Sequence, residues 1–278
     1  MEKRAKVSII LPTYNRADSV AASIKSIISQ TYVDFELLIV DDGSTDDTEN
    51  VVKNIPDERI RYIKISQNGG VSNARNIGVS ESLYDLIAFE DSDDLWHIDK
   101  LEKQIDYLAK NPDNILVYCA YEIIGGSSNI GIRIPSAGSD VSKLEGNIYP
   151  YLLQRNTIGA PTVVMRKDVF NRIGGFKTSY PALEDWDLAI RVAKLGSIGY
   201  LDETLLDVSV KDGGVSSSSM NYYKARCMLL SDYLEDINEL GLFDLIAGDI
   251  LNRAAMDGAI EFVKKTMMLQ ILEKQKNT

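Results

Sequence analysis

Phe89-Glu90-Asp91-Ser92-Asp93-Asp94-Leu95-Trp96 is the stretch on which the reading of this chain turns. It follows an apolar run, Leu86-Ile87-Ala88-Phe89, continuous enough for a buried strand. Three carboxylates then fall within four positions at the strand's end. Carboxylates that close raise one another's pKa unless a cation sits among them. Mg²⁺ or Mn²⁺ takes oxygen ligands and leaves coordination positions for substrate phosphates, so Asp-X-Asp at a strand's C-terminal end has the chemistry of a metal–diphosphate site. Taken alone, the same residues read more readily as a solvated acidic turn capping the next helix, and it is the rest of the chain that reverses this.

Upstream, strand-like runs and helical periodicity alternate. Val7 to Leu11 reads as a strand closed by Pro12, with Thr13-Tyr14-Asn15-Arg16 as its loop. Asp18 or Ser19 can cap a helix whose Val20, Ile24, Ile27 and Ile28 recur at helical spacing. Phe35 to Val40 is a second strand, and Ser44 or Thr45 can cap a helix running through Ile55. Arg59 to Ile65 is a third strand, Ser72 to Gly78 a helix opened by Asn68-Gly69-Gly70-Val71, Tyr84 to Phe89 a fourth strand, and Ile98 to Asn111 a helix. Such alternation predicts an α/β, predominantly parallel sheet with helices on both faces. Ligands of doubly wound sheets bind beyond the carboxyl ends of the strands, which here carry Pro12 to Tyr14, Asp41-Asp42 and Asp91 to Asp94.

After residue 111 the rhythm changes. Ile115 to Ile124 is a strand, and Ile130 to Ile134 can pair as a hairpin within a Gly- and Ser-rich stretch. Leu144 to Gln154 reads as a helix, Pro161 to Met165 as a strand, and Glu184-Asp185-Trp186-Asp187 opens a helix to Leu195. Two short strands are predicted near 198–201 and 205–210, and residues 221–276 are mostly helical. Gly213-Gly214-Val215 with Ser216 to Ser219 is a candidate lid.

The net charge of -11 argues against a nucleic-acid partner and requires that any substrate phosphate be met by local cations. Cys119 and Cys227 form no metal or redox motif and read as reduced, buried thiols of a cytoplasmic protein. No signal peptide is visible, and no run approaches the roughly 20 apolar residues of a membrane span.

Four motifs stand together: Val7 to Asn15, Val40-Asp41-Asp42-Gly43-Ser44-Thr45-Asp46, Asn68 to Asn76 leading into Asp91-Ser92-Asp93-Asp94, and Glu184-Asp185-Trp186. In this order the chain resembles the glycosyltransferase family 2 enzymes of GT-A fold. The resemblance implies inverting transfer of a sugar from a nucleotide-diphosphate donor, usually a UDP-sugar. It implies a nucleotide-sugar-binding half over 1–111, an acceptor-binding and catalytic half over 112–219, and a helical extension over 220–278. Pro12 and Tyr14 would line the base pocket, and Asp42 would accept from the base N–H. Arg75 would contact the base or diphosphate. Asp91 would lie on the ribose side, with Ser92 in the same site. Asp93 would bridge to Mn²⁺ or Mg²⁺, and Asp185 would be the base. The helix macrodipole favours the Asp185 anion, while neighbouring Glu184 opposes it. Trp186 reads either as an apolar sugar platform or as core. Where many relatives carry a His after the last strand, this chain has Lys211, either a diphosphate contact or a solvated side chain. His97 reads as a surface or capping residue.

The implied partners are a nucleotide-sugar donor and a saccharide or lipid-linked saccharide acceptor of a cell-surface glycan. The C-terminal apolar set, Phe262, Val263, Met267, Leu269, Ile271 and Leu272, lies amid lysines. It reads as a face packed on the domain or a second subunit, or as a peripheral contact with a membrane. Two other readings stay open: a sugar-phosphate nucleotidyltransferase, against which the Gly-free loop Pro12 to Asn15 counts, and a nucleotide-sugar-binding subunit without catalysis, against which Asp93 and Asp185 count.

Overall fold

The computed structural model describes residues 5–125, 131–210 and 219–276. Its first half alternates strand and helix: β1 (Val7–Thr13), α1 (Val20–Ile28), β2 (Phe35–Asp41), α2 (Thr48–Lys53), β3 (Ile60–Lys64), α3 (Val71–Glu81) and β4 (Leu86–Phe89). Every residue of β1 and β2 is buried, as expected of strands covered on both faces. Each fully buried Val, Leu or Ile contributes roughly 1.5–3 kcal/mol, which fixes these strands at the sheet's centre. β1 pairs in parallel with β2 and β4, and β2 with β3. Thr13 aligns with Asp41, and Ile10 with Phe89, so the loops after all three strands open at one edge.

Gly78 lets α3 lie close on this sheet. A Cβ there would come within 2.5 Å of Ile10 Cγ2 and 3.2 Å of Val40 Cγ2.

The second half adds β5 (Leu95–Trp96), α4 (Lys100–Lys110), β6 (Asn114–Ile124), β7 (Ile132–Ile134), α5 (Tyr149–Leu152), β8 (Val163–Arg166), α6 (Lys167–Arg172), α7 (Glu184–Ala193) and β9 (Ser197–Ser209). Four helices close the described chain: α8 (Ser219–Asp232), α9 (Leu234–Glu239), α10 (Phe243–Met256) and α11 (Ile260–Lys276). The sheet order is β3-β2-β1-β4-β8-β6-β9-β5, with β7 hairpinned onto β6. The sheet is parallel through β4 and mixed beyond it. β8 runs antiparallel to β4 and β6, whereas β9 runs parallel to β6.

Three local expectations are corrected. The helix expected over 144–154 shrinks to α5, because Gly146 takes a left-handed φ of 83° and bridges Ile198. The strands expected near 198–201 and 205–210 are one strand, β9, whose register on β6 shifts around Ala120 and absorbs the exposed Asp202 and Glu203. Ser44 and Thr45 do not cap α2, which starts behind Asp47. Instead the Ser44 hydroxyl accepts from Asn15 N at 2.9 Å, and Thr45 N donates to Asn15 Oδ1 at 2.9 Å.

Cys119 and Cys227 are free and buried, and burial pushes the Cys119 thiol up to about 11. The C-terminal helices do not form a separate body: Tyr223, Leu230, Tyr233, Ile246, Ile250 and Val263 share one core with Phe89, Phe170 and Trp186. The apolar set of α11 divides, Val263 and Met267 facing this core and Leu269 and Leu272 exposed. Among the described residues, no helix is long and apolar enough to cross a membrane.

Candidate active site

The first wall is the loop after β1. Asn15 holds a left-handed φ of 50°, a conformation Asn adopts more readily than most residues. Its anchored side chain ties this loop to the one after β2. Tyr14 stands 44% exposed at the rim, while Pro12 is buried at the end of β1. Asp42 is buried, and its carboxylate accepts from Gly69 N at 2.9 Å and Gly70 N at 2.7 Å. It therefore fixes the turn that opens α3, where Gly70 takes φ 88°.

From α3, Arg75 reaches across the sheet's end. Its Nη2 donates to Asp91 Oδ1 at 2.7 Å and its Nη1 to Glu184 Oε1 at 2.8 Å, while the guanidinium lies 5.1 Å from the Phe176 ring centroid. Burial works against its charge, but Asp91 and Glu184 outweigh that, and its pKa is raised. The two ends of the guanidinium thus serve two carboxylates. The next residue, Asn76, donates from Nδ2 to Phe176 O and accepts at Oδ1 from Phe176 N, pinning the Gly174-Gly175-Phe176 loop beneath the site.

The acidic turn divides its labour. Asp94 is buried, accepts from Ser209 N at 2.9 Å and carries a raised pKa through burial and the charge of Asp91. Glu90, fully buried, accepts from Asp91 N at 2.9 Å; burial and then Asp94 push its pKa well up. Lys100 lies equally deep, its Nζ 3.9 Å from the Trp96 ring centroid and donating to Gln104 Oε1 at 2.7 Å; burial lowers its pKa. Ser92 is buried. Asp91 pairs with Arg75, and Asp93, 23% exposed, has Arg16 Nε 3.5 Å away. No cluster of three or more His, Cys, Asp or Glu poised to hold a metal occurs among the described residues. The donor set suits a cation held by one carboxylate, with a substrate's oxygens completing its shell.

The opposite wall is the start of α7. Leu183, its N-cap, takes a left-handed φ of 60°, an uncommon and strained conformation for a branched residue. The turn presents Glu184 to Arg75 and leaves Asp185 partly exposed, with Oδ1 accepting from Trp186 N at 2.7 Å. Burial and then the neighbouring Glu184 push the Asp185 carboxyl up to about 7, with Arg75 pulling the other way. Such a group shares its proton near neutral pH, as a general base requires. Tyr121 of β6 belongs to the same field, its phenol pushed up by burial, Asp185 and Asp94.

Trp186 is no sugar platform. It is 4% exposed, donates from Nε1 to Leu152 O at 2.5 Å, and has the buried Arg226 guanidinium 4.4 Å from its ring centroid. Helical spacing turns it into the core when Asp185 faces out. Next to it, buried Asp187 accepts at Oδ1 from the Tyr233 hydroxyl at 2.7 Å and pairs with Arg191 at 2.6 Å. His97 is partly exposed, with Nε2 3.0 Å from Asp207 Oδ1, in keeping with a surface residue. Lys211 and most of the candidate lid lie outside the described residues.

Sequence reasoning missed Asn76 and Tyr121. The first carried a signal, since it lies within the quoted Asn68 to Asn76 motif; the second carried none.

The family model Glycosyl transferase family 2 matches residues 8–174. An Escherichia coli protein, UDP-Glc:alpha-D-GlcNAc-diphosphoundecaprenol beta-1,3-glucosyltransferase WfgD, is 32% identical over 232 residues, spanning 83% of this chain and 87% of its own. The chain spans only 37% of the length of two uncharacterized glycosyltransferases of Rickettsia felis and Rickettsia conorii, at 34% identity. Among solved structures, Staphylococcus aureus TarS 1–349 in complex with UDP-GlcNAc aligns with a TM-score of 0.67 at 16% identity, covering 98% of this chain and 90% of that one. The mannosyltransferase PcManGT of Pyrobaculum calidifontis, in complex with GDP-Man and Mn²⁺, aligns with a TM-score of 0.64 at 19% identity, covering 99% and 87%. The structural likenesses establish the GT-A fold.

Proposed function

Because the chain belongs to glycosyltransferase family 2, we propose that it transfers a sugar, with inversion, from a nucleotide-diphosphate donor to a hydroxyl of a cell-surface or lipid-linked saccharide. The observation that carries this reading is the pairing of a carboxyl poised at about 7, Asp185, with an acidic turn that Arg75 ties to the adjacent Glu184. The donor's base belongs beside Tyr14 and the Asp42-pinned turn, and its diphosphate beside Asp91 and Asp93. Asp93 would hold a divalent cation there, where it offsets the charge gathering on the leaving diphosphate. The acceptor hydroxyl gives its proton to Asp185 as its oxygen bonds to the anomeric carbon and the bond to the diphosphate breaks. One displacement inverts that centre. UDP is favoured as nucleotide because WfgD, by its name, uses UDP-Glc, and a neighbour of the same fold holds UDP-GlcNAc. A lipid-linked acceptor would place the protein beside a membrane, and the exposed Met268, Leu269 and Leu272 of α11 are the face such a contact, or a second subunit, would use.

The test is nucleotide release from a panel of UDP- and GDP-sugars with and without Mn²⁺ and Mg²⁺, with the anomeric configuration of the product read by NMR. Retention of configuration, or no release from any donor, would refute the reading.

A further inference from the structure

Gly159 lies between α5 and β8, in a position that backbone geometry does not explain. Its φ of -86° and ψ of 149° are open to any residue. Packing does not explain it either. A Cβ built there would meet only Asp185 Oδ2 and Pro161 Cδ, each at 3.8 Å, an ordinary van der Waals separation. The position is also held firmly. Thr162 donates to Gly159 O from its N at 3.0 Å and from its hydroxyl at 2.7 Å, and Pro161 stiffens the turn between them.

Asp185 Oδ1 is occupied by Trp186 N, so Oδ2 is the oxygen left to take a proton. The space beside Oδ2 is therefore the space a Cβ at 159 would fill. The Tyr121 phenol lies within the electrostatic reach of Asp185 and Asp94.

We propose that Gly159 is a specificity-determining position, keeping open beside Asp185 Oδ2 the room taken by the ring carbon of a secondary acceptor hydroxyl. This rests on the glycosyltransferase reading above and adds the acceptor class to it. A primary hydroxyl on a flexible CH₂ arm, or water, reaches Oδ2 past a methyl group; a hydroxyl fixed on a sugar ring brings its carbon and neighbouring ring atoms with it. In the step itself the ring oxygen bonds to the donor's anomeric carbon, the carbon–oxygen bond to the diphosphate breaks, and the hydroxyl proton passes to Oδ2.

The experiment compares the wild-type chain with Gly159→Ala and Gly159→Val, using whichever UDP-sugar the wild type turns over. The acceptors are water, methanol, and an octyl glycoside whose primary hydroxyl is blocked by methylation. Transfer to the blocked glycoside should fall on the order of 10²-fold, the loss expected when a reacting group is displaced by about 1 Å. Transfer to methanol should change several-fold at most, so the glycoside-to-methanol ratio collapses. Because alanine suits this backbone, the Tm of Gly159→Ala should be unchanged or higher. An unchanged ratio would overturn the proposal, as would a fall in Tm with uniform loss toward all acceptors, which would make Gly159 structural. A wild-type chain that releases nucleotide from no donor would instead remove the glycosyltransferase reading, and this proposal with it.

Discussion

Replacing Asp185 by Asn should lower activity and raise stability together. The carboxyl titrates at about 7 in the folded chain, against 3.8 for an ordinary Asp carboxyl. Below the lower value it is protonated whether the chain is folded or not. Between the two, the unfolded chain releases the proton while the folded chain keeps it, so folding stability falls as pH rises, and above about 7 the loss is complete. A shift of about three units corresponds to at most about 4 kcal/mol, since each unit is 1.36 kcal/mol. Asn has the same shape and no proton to lose. Asp185→Asn should therefore match the wild type near pH 4 and exceed it at pH 8, with Tm higher by several degrees at the usual 2–4 °C per kcal/mol for domains of roughly 150–250 residues. Sugar transfer should drop about 10²- to 10⁴-fold, the usual contribution of a positioned base. In the wild type, kcat/KM should rise with pH through an apparent pKa of about 7. The assays are thermal unfolding from pH 4 to 8 and initial rates over the same range. A wild-type-minus-variant Tm difference that does not change with pH would refute the burial argument. Near-normal turnover by the variant would move the base to Glu184.

Asp93→Ala should abolish the response to added divalent cation while leaving Tm within a degree or two, because the side chain is partly exposed; a variant still activated by Mn²⁺ would remove Asp93 from the cation site. Arg75→Met should strand Glu184 and Asp91 without their shared cation, lowering stability by roughly 3–5 kcal/mol in denaturant titration and moving the acid limb of the pH–rate profile upward, since Arg75 pulls the Asp185 pKa down. An unmoved limb would contradict that coupling. Gly78→Ala should destabilise by about 1–3 kcal/mol through the clash with Ile10, measured by urea unfolding.

The first half of the fold was legible because fully buried parallel strands such as β2 are unbroken apolar runs, and periodicity identifies them without help from elsewhere. The helix misread over 144–154 shows the limit. Its apolar spacing was real, but Gly146 bridges Ile198, a partner 52 positions on, and no local pattern announces that. The site divides in the same way. The carboxylates of the acidic turn and of Glu184-Asp185 were visible as motifs, and the structure brings Asp91 and Glu184 to one guanidinium. That Arg75 would be held by both, and that Asp42 would be turned to Gly69 and Gly70, depends on which groups arrive from distant segments. Trp186 was ambiguous for the same reason: Leu152, which accepts from its indole, and Arg226, stacked on it forty positions later, show which way α7 is rolled.

That stacking has a consequence for how the protein can be taken apart. Arg226 of α8 and Tyr233 just beyond it grip the adjacent Trp186 and Asp187 in the first turn of α7, so α7 and α8 belong to one cooperative unit. Their amide protons should exchange together under native conditions, later than those of the exposed loops. A chimera built to borrow another relative's acceptor preference would then have to exchange 184–193 and 219–276 as a matched set. A graft that divided them would leave a buried guanidinium without its aromatic face and Asp187 without its phenol, and the misfolded product would be mistaken for an enzyme of altered specificity.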